Sequence, residues 1–127
     1  MTRTLTLVLA VAFLAAGVAG FAVTGFDDVV GHSHQTLLGL EVNPLHNLVH
    51  ILIGAVGLVA WRGRMRIRDY GVMLAVGYGL VFLYGLMATH EDSILSINQA
   101  DNWFHLTMAA AGAFLAWRTW GPARLRN

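Results

Sequence analysis

The sequence predicts an all-α fold, a bundle of four transmembrane helices built from two parallel two-helix repeats. The chain of 127 residues is 57% hydrophobic and only 12% charged, whereas about 25% of the residues in an average soluble domain are charged. It contains four apolar runs close to the roughly 20 residues that a helix needs to cross a bilayer. The second and fourth runs begin with the same uncommon pattern of polar residues. We expect a single domain, 1–127.

The four apolar runs predict helices rather than strands. They are continuous and rich in Leu, Ala and Gly, whereas the strands of a membrane β-barrel alternate apolar and polar residues. The first run follows Arg3, as in a signal peptide. It is longer than the roughly 7–15 apolar residues of a cleavable signal, so we expect it to remain as a span. The predicted spans cover residues of about 5–26, 44–61, 70–89 and 103–120.

The longest connection, residues 27–41, lies between the first and second spans. Its glycines interrupt a short apolar patch, which suggests a turn or half-helix lying on the membrane surface. His32 and His34 within it are possible ligands for a surface metal ion. Because two histidines make an incomplete coordination shell, a solvated loop is the preferred interpretation.

The basic residues predict the orientation of the chain. All eight are arginines, at the two termini and in the loop between the second and third spans. Positively charged loops stay in the cytoplasm, so we expect both termini to be cytoplasmic in a bacterial inner (plasma) membrane. This topology accounts for the arginines without a nucleic-acid partner and leaves attraction to anionic lipid as their additional role. The residues are Arg3, Arg62, Arg64, Arg66, Arg68, Arg118, Arg124 and Arg126.

The opposite side of the membrane is predicted to be acidic and rich in histidine. All six histidines and every acidic residue except Asp69 fall there, including the adjacent pair Glu91 and Asp92. The chain has no cysteine, which excludes both disulfides and thiolate metal sites.

An internal repeat relates the second span to the fourth. Residues 43–57 read NPLHNLVHILIGAVG, and residues 98–112 read NQADNWFHLTMAAAG. The first and third spans also match, as LAVAF at residues 9–13 and LAVGY at residues 74–78. The repeats are 1–61 and 70–120, and two helices per repeat give both the same orientation. We therefore expect a pseudo-two-fold axis along the membrane normal.

The polar residues of the second and fourth spans are candidates for metal binding. His46 with His50, and Asp101 with His105, are each spaced i, i+4, so each pair lies on one helix face. The two-fold would bring both faces together, and three imidazoles with one carboxylate suit Zn²⁺ or another divalent metal. A less favoured alternative is a haem between His50 and His105.

A structural role is the preferred interpretation of the same residues. Buried polar groups often serve only as partners for one another. In this interpretation the asparagines cap the second and fourth helices and link them through hydrogen bonds. Asn43 followed by Pro44 is a favourable helix start. The network would comprise Asn43, Asn47, Asn98 and Asn102.

No catalytic residues are predicted. No Ser or Cys nucleophile pairs with the His/Asp set, and the chain lacks a Gly-rich phosphate loop. A channel is disfavoured because four helices of this length pack into a filled bundle. The leading hypothesis is a structural protein, or an accessory subunit of a larger membrane complex or a homo-oligomer. The alternative is a metal- or haem-binding membrane protein.

Two motifs carry a resemblance to a known family. The stretch NPLHNLVH at residues 43–50 and the stretch ADNWFHL at residues 100–106 resemble signatures of small bacterial four-helix integral membrane proteins, catalogued as a domain of unknown function. The resemblance extends over nearly the whole chain. It implies the four-helix architecture and the importance of the polar residues in both motifs, and it implies no activity.

Overall fold

The computed structural model describes residues 1–88 and 94–121, and it confirms an all-α fold with four helices. The predicted positions of His90, Glu91 and Asp92, and of the tail arginines Arg124 and Arg126, lie outside the described residues. The helices are α1 (Thr2–Thr24), α2 (Pro44–Trp61), α3 (Ile67–Met87) and α4 (Gln99–Arg118), with the short strands β1 (Thr36–Leu37) and β2 (Leu40–Glu41) between α1 and α2.

Local chemistry explains where the helices begin and end. Helix α1 stops before Gly25, whose φ of 63° belongs to the left-handed region that glycine tolerates. Helix α2 has the bounds of the second predicted span. Helix α4 begins four residues before its predicted span because Asn98 caps a polar first turn, residues 99–102. The apolar pattern alone could not locate that turn.

The connection between α1 and α2 contains a hairpin rather than a half-helix. Strands β1 and β2 are antiparallel, with Thr36 opposite Glu41 and Leu37 opposite Leu40. The two residues between them, Leu38 and Gly39, have φ values of 54° and 85°, and two such residues form the type I′ turn that joins short hairpins. The apolar patch that suggested a helix is therefore divided between two strands.

The helices pack in two close pairs, α1 with α2 and α3 with α4. In the second pair, glycines allow backbone contact: a Cβ at Gly71 would lie 2.7 Å from the Gly112 carbonyl oxygen, and a Cβ at Gly112 would lie equally close to the Gly71 oxygen. Within the described residues, α2 and α4 do not approach each other closely along their backbones. The core between the pairs comprises Leu9, Phe13, Ala60, Tyr70, Leu74, Tyr78 and Leu115.

Three helices in the described part of the chain, α1, α2 and α3, are long and apolar enough to cross a membrane. Helix α4 is of similar length, 20 residues, but its first two turns carry several polar side chains, among them Asp101, Asn102 and His105. Large apolar side chains on the outside of the bundle, such as Val18, Leu52 and Leu80, are more than half exposed. A surface of this kind fits a hydrocarbon environment.

A candidate metal centre at the starts of α2 and α4

Asn43 fixes the start of α2 and joins it to the rest of the molecule. Its Oδ1 accepts the hydrogen bond of the His46 backbone N–H at 2.8 Å. Its Nδ2 donates to the carbonyl oxygens of Gly31 at 2.9 Å and Ile94 at 2.8 Å. The side chain is fully buried. One residue therefore caps α2 and holds two connecting segments against it.

Asn98 and Asp101 form a capping box at the start of α4. Asn98 Oδ1 accepts the Asp101 backbone N–H at 2.9 Å, and Asp101 Oδ2 accepts the Asn98 backbone N–H at 3.1 Å. The same carboxylate oxygen accepts the Glu41 backbone N–H at 2.9 Å. Asn98 Nδ2 donates to the Gly39 carbonyl at 2.9 Å. The start of α4 is thus bonded to the β1–β2 hairpin, and the Asp101 carboxylate is held in place from two directions.

The polar cluster, defined as His46, His50, Asp101 and His105, lies between the starts of α2 and α4. The ligand atoms of His46, Asp101 and His105 all lie within 4.8 Å of one another, and the four side chains are at most 5% exposed. The ring centroid of His46 is 4.6 Å from that of His50 and 5.9 Å from that of His105. Side chains, rather than backbone packing, therefore bring α2 and α4 together.

The hydrogen bond of His46 determines which of its nitrogens can bind a metal. Nδ1 lies 3.1 Å from the Leu95 carbonyl oxygen, which can only accept. Nδ1 must therefore carry the proton, and the lone pair is on Nε2. Metal-binding histidines commonly donate their second nitrogen to a backbone carbonyl in this way.

Two other nitrogens of the polar cluster are buried without a partner. His50 Nε2 and His105 Nδ1 make no hydrogen bond within the described residues. A buried polar atom without a partner costs about 1–3 kcal/mol, so such atoms require an explanation. A bound ion would satisfy a nitrogen lone pair directly.

Phe13 and Tyr78 form the floor of the polar cluster. The Phe13 ring lies 5.5 Å from His50, the Tyr78 ring lies 5.4 Å from His105, and the two aromatic rings stack on each other at 5.5 Å. These rings pack against the two histidines that a haem would need as axial ligands. A haem between His50 and His105 would therefore have to displace these ring contacts, so the packing favours the metal alternative over haem.

Asn47 and Asn102 contact the neighbouring helix of their own pair. Asn47 Nδ2 donates to Thr24 Oγ1 at 2.9 Å, which links α2 to α1. A Cβ placed on Gly20 would collide with the Asn47 side chain, and one placed on Gly85 would collide with Asn102. The repeat in the sequence predicts that these asparagines link α2 with α4. Their contacts instead stabilise each pair of helices from within.

The loops above the polar cluster supply contacts that the sequence did not reveal. Ser96 Oγ accepts the Ser33 backbone N–H at 2.9 Å and donates to the Ser33 carbonyl at 3.0 Å. His32 Nδ1 lies 3.5 Å from a carboxylate oxygen of Glu41, and its ring contacts His34 edge-on at 4.6 Å. His32 and His34 thus lie on the hairpin side of the loop, outside the polar cluster.

Phe13 and Tyr78 were also missed as parts of the site, although the sequence carried a signal for them. They are the final residues of the matching stretches LAVAF and LAVGY. Each faces the histidine of its own helix pair. Matched aromatic residues in matched stretches would have been a reason to place them beside His50 and His105.

The fold and the site together define a class: small four-helix proteins with apolar helices of membrane-spanning length and a buried His/Asp cluster at one end. The chain belongs to the family described as a domain of unknown function, DUF4383, whose model matches residues 3–118. The expected membership of a family of unknown function is thereby confirmed. Neither a curated protein nor a solved structure matches the chain.

Proposed function

We propose that this protein is an integral membrane protein that binds one divalent first-row metal ion, preferably Zn²⁺, in the polar cluster. One observation carries the proposal: three ligand-type side chains from two helices, His46, Asp101 and His105, bring their ligand atoms within 4.8 Å of one another in a buried site. Burial of a carboxylate among imidazoles is costly in an apolar medium unless it is compensated, and a cation compensates it.

The donor set matches the chemistry of zinc. Zn²⁺ takes imidazole nitrogen and carboxylate oxygen at about 2.0–2.2 Å, so two donor atoms of a tetrahedral shell are about 3.4 Å apart. The ligand atoms of the three side chains, now within 4.8 Å of one another, therefore need to approach by up to about 1.4 Å. His50 packs edge-on against His46 and is the natural fourth ligand, which would complete a tetrahedral shell.

Hydrogen bonds to neighbouring backbone groups hold two of the candidate ligands, Asp101 and His46, in fixed orientations. Asp101 receives backbone N–H groups from Asn98 and Glu41, and His46 donates to the Leu95 carbonyl. Contacts of this kind orient metal ligands and limit the entropy lost when an ion binds. Leu95 and Asn98 lie in the segment that precedes α4, and they bond to His46 and Asp101. An ion held by His46 and Asp101 would therefore fix this segment against α2.

A structural role is the second candidate, and a specific observation supports it. Asn43, Asn98 and Asp101 form hydrogen bonds with backbone groups of the helix starts and of the connecting segments. A network of this kind could hold the two helix pairs together without any ion. The protein would then act through its helix surfaces, as a structural component or as a subunit of a membrane complex or homo-oligomer.

We infer further that the two helix pairs are internal repeats related by a two-fold axis through the polar cluster. The support comes from matched contacts. Phe13 with His50 and Tyr78 with His105 have nearly equal ring distances, and Gly20 meets Asn47 as Gly85 meets Asn102. In this arrangement α4 crosses the membrane in the same direction as α2, and its polar first turns face the pair formed by α1 and α2. A superposition of residues 1–61 on residues 70–120 tests it, and a rotation far from two-fold would contradict it.

Asp101→Asn is the sharpest test between the two candidate functions. An asparagine side-chain oxygen can still accept the two backbone N–H groups, so the cap survives while the negative charge is lost. For a metal site we expect stoichiometric Zn²⁺ in the purified wild type and its loss in Asp101→Asn and in His46→Ala. Elemental analysis and the visible absorption of a Co²⁺-substituted sample provide the readouts.

His34→Ala is the matched control, because it removes an exposed histidine outside the polar cluster. After bound ions are removed with a chelator, added Zn²⁺ should raise the unfolding temperature of the wild type and of His34→Ala, and should leave that of Asp101→Asn unchanged. A ligand at about one hundred times its dissociation constant stabilises a protein by about 2.7 kcal/mol. A wild type without a bound ion, and with no response to Zn²⁺, would leave only the structural candidate.

The membrane topology is a separate prediction. We propose that both termini and the loop at residues 62–66 face the cytoplasm of a bacterial inner membrane, because the arginines cluster there. An alkaline phosphatase domain fused after Asn127 should be inactive, since that enzyme works only outside the cytoplasm, and a fusion within residues 27–35 should be active. The reverse pattern would refute the orientation.

A further inference from the structure

A groove opens at the end of the bundle opposite the polar cluster, which we call the arginine end. The start of α1, the loop between α2 and α3 and the end of α4 form its walls, and its volume is about 970 Å³. Its lining includes five arginines, Arg3, Arg64, Arg66, Arg68 and Arg118. Residues far apart in the chain therefore supply one concentrated positive surface.

The positive charge of this groove is poorly neutralised. Asp69 is the acidic residue that pairs there, and it bonds to Arg66 at 2.7 Å and to Arg68 at 3.4 Å. In the described part of the chain, Arg3, Arg64 and Arg118 have no carboxylate within ion-pair distance. Several guanidinium groups thus remain available to an anion, and the planar guanidinium binds phosphate oxygens in pairs.

Tryptophan side chains hold the guanidinium groups at the groove. The Arg3 guanidinium lies 5.8 Å from the centre of the Trp61 ring, and that of Arg68 lies 5.0 Å from the Trp120 ring. Contacts of this length stabilise a cation over an aromatic face. Trp120 is 70% exposed, and tryptophan is the residue most typical of the boundary between lipid tails and headgroups.

We propose that this groove binds the phosphate-bearing headgroup of an anionic phospholipid. The groove lies at the ends of the apolar helices, which is headgroup depth if they cross the bilayer, and the exposed Trp120 ring offers a surface to the lipid's glycerol and upper acyl chains. A soluble phosphate would bind the arginines but would make no contact with the tryptophan surface. The proposal rests on the membrane placement above and is independent of the metal site.

Native mass spectrometry of the full chain in a neutral detergent tests this proposal. We expect phosphatidylglycerol to bind and to survive mild activation, while phosphatidylcholine, whose headgroup has no net charge, is lost. Arg64→Gln and Arg118→Gln should each weaken phosphatidylglycerol binding about fivefold, since one arginine near an anionic lipid surface contributes about 1 kcal/mol. Both variants should keep the wild-type unfolding temperature in phosphatidylcholine, because Arg64 and Arg118 have no carboxylate partner to lose in the described part of the chain.

Arg62→Gln is the matched control: Arg62 belongs to the same loop and is exposed, but it does not line the groove. This variant should bind phosphatidylglycerol as the wild type does. An equal loss in Arg62→Gln, or equal retention of the two lipids, would show that net charge alone acts and would overturn the proposal. Saturation by millimolar inorganic phosphate, with displacement of the lipid, would assign the groove to a soluble anion instead.

Discussion

The two ends of the helix bundle treat their polar groups in opposite ways. At the cluster end, Asn43, Asp101 and His105 are at most 2% exposed, and the hydrogen bonds of Asn43 and Asp101 reach the backbone of other segments. At the arginine end, the ion pair of Arg66 with Asp69 has side-chain exposures of 65% and 34%. Water can replace the partners of the second set but not those of the first.

This difference in burial predicts that the cluster end contributes more to stability and that the arginine end tolerates a change of binding partners. A buried polar group that loses its partner keeps its desolvation cost, so the cluster end should be intolerant of substitution. An exposed ion pair contributes little, because water and salt screen it. The arginine end can therefore exchange its partners, as the proposed lipid binding requires, while the cluster end preserves one geometry, as the proposed metal binding requires.

The largest effect is expected for Asn43→Ala. The substitution removes the cap of α2, worth about 1 kcal/mol, and leaves the carbonyls of Gly31 and Ile94 without their donor, at about 1–3 kcal/mol each. We expect the free energy of unfolding to fall by about 3 kcal/mol or more, measured by thermal or denaturant unfolding in detergent.

Asn98→Ala provides the comparison for Asn43→Ala within the same end. It removes an equivalent cap, but its side chain is only partly buried, and its bond to Gly39 is exposed. Its expected cost is about 1 kcal/mol, the value of a cap alone. If the two variants lost equal free energy of unfolding, burial of the Asn43 hydrogen bonds would not add to stability. That result would contradict the expected difference between buried and exposed polar groups.

An intermediate effect is expected for Gly20→Ala. The added methyl group would collide with the Asn47 side chain, which is fully buried and bonded to Thr24. Overpacking of this kind costs about 1–3 kcal/mol. Gly77→Ala is the control, since a Cβ there meets nothing within 4 Å; it should raise stability by about 0.5–1 kcal/mol through helix propensity. Matching losses in both variants would contradict the packing seen at Gly20.

The smallest effect is expected for Arg66→Gln at the arginine end. The substitution breaks the exposed pair with Asp69, and Arg68 remains beside the carboxylate. We expect the unfolding temperature to stay within the scatter of repeated measurements, at both low and high salt. A drop comparable to that of Gly20→Ala would mean that the arginine end also carries structural bonds.

Local sequence chemistry determined the elements of this protein. Asn43 and Pro44 set the start of α2 because a cap and a fixed φ act within a few residues. The length of the apolar runs determined the number of helices, since hydrocarbon thickness sets a minimum. The spacing of His46 with His50 placed both on one face for the same local reason.

The tertiary structure decided which of these residues meet. Sequence spacing treats His46 and His50 alike, yet His46 is the one that joins Asp101 and His105. That choice depends on how the helix pairs cross, and on Phe13 and Tyr78, which pack against His50 and His105. The bonds of Asn43 to Gly31 and Ile94, and the joining of Arg3 with Arg118 in one groove, link residues far apart in the chain. Contacts of that range depend on the relative placement of whole helices, which no local pattern encodes.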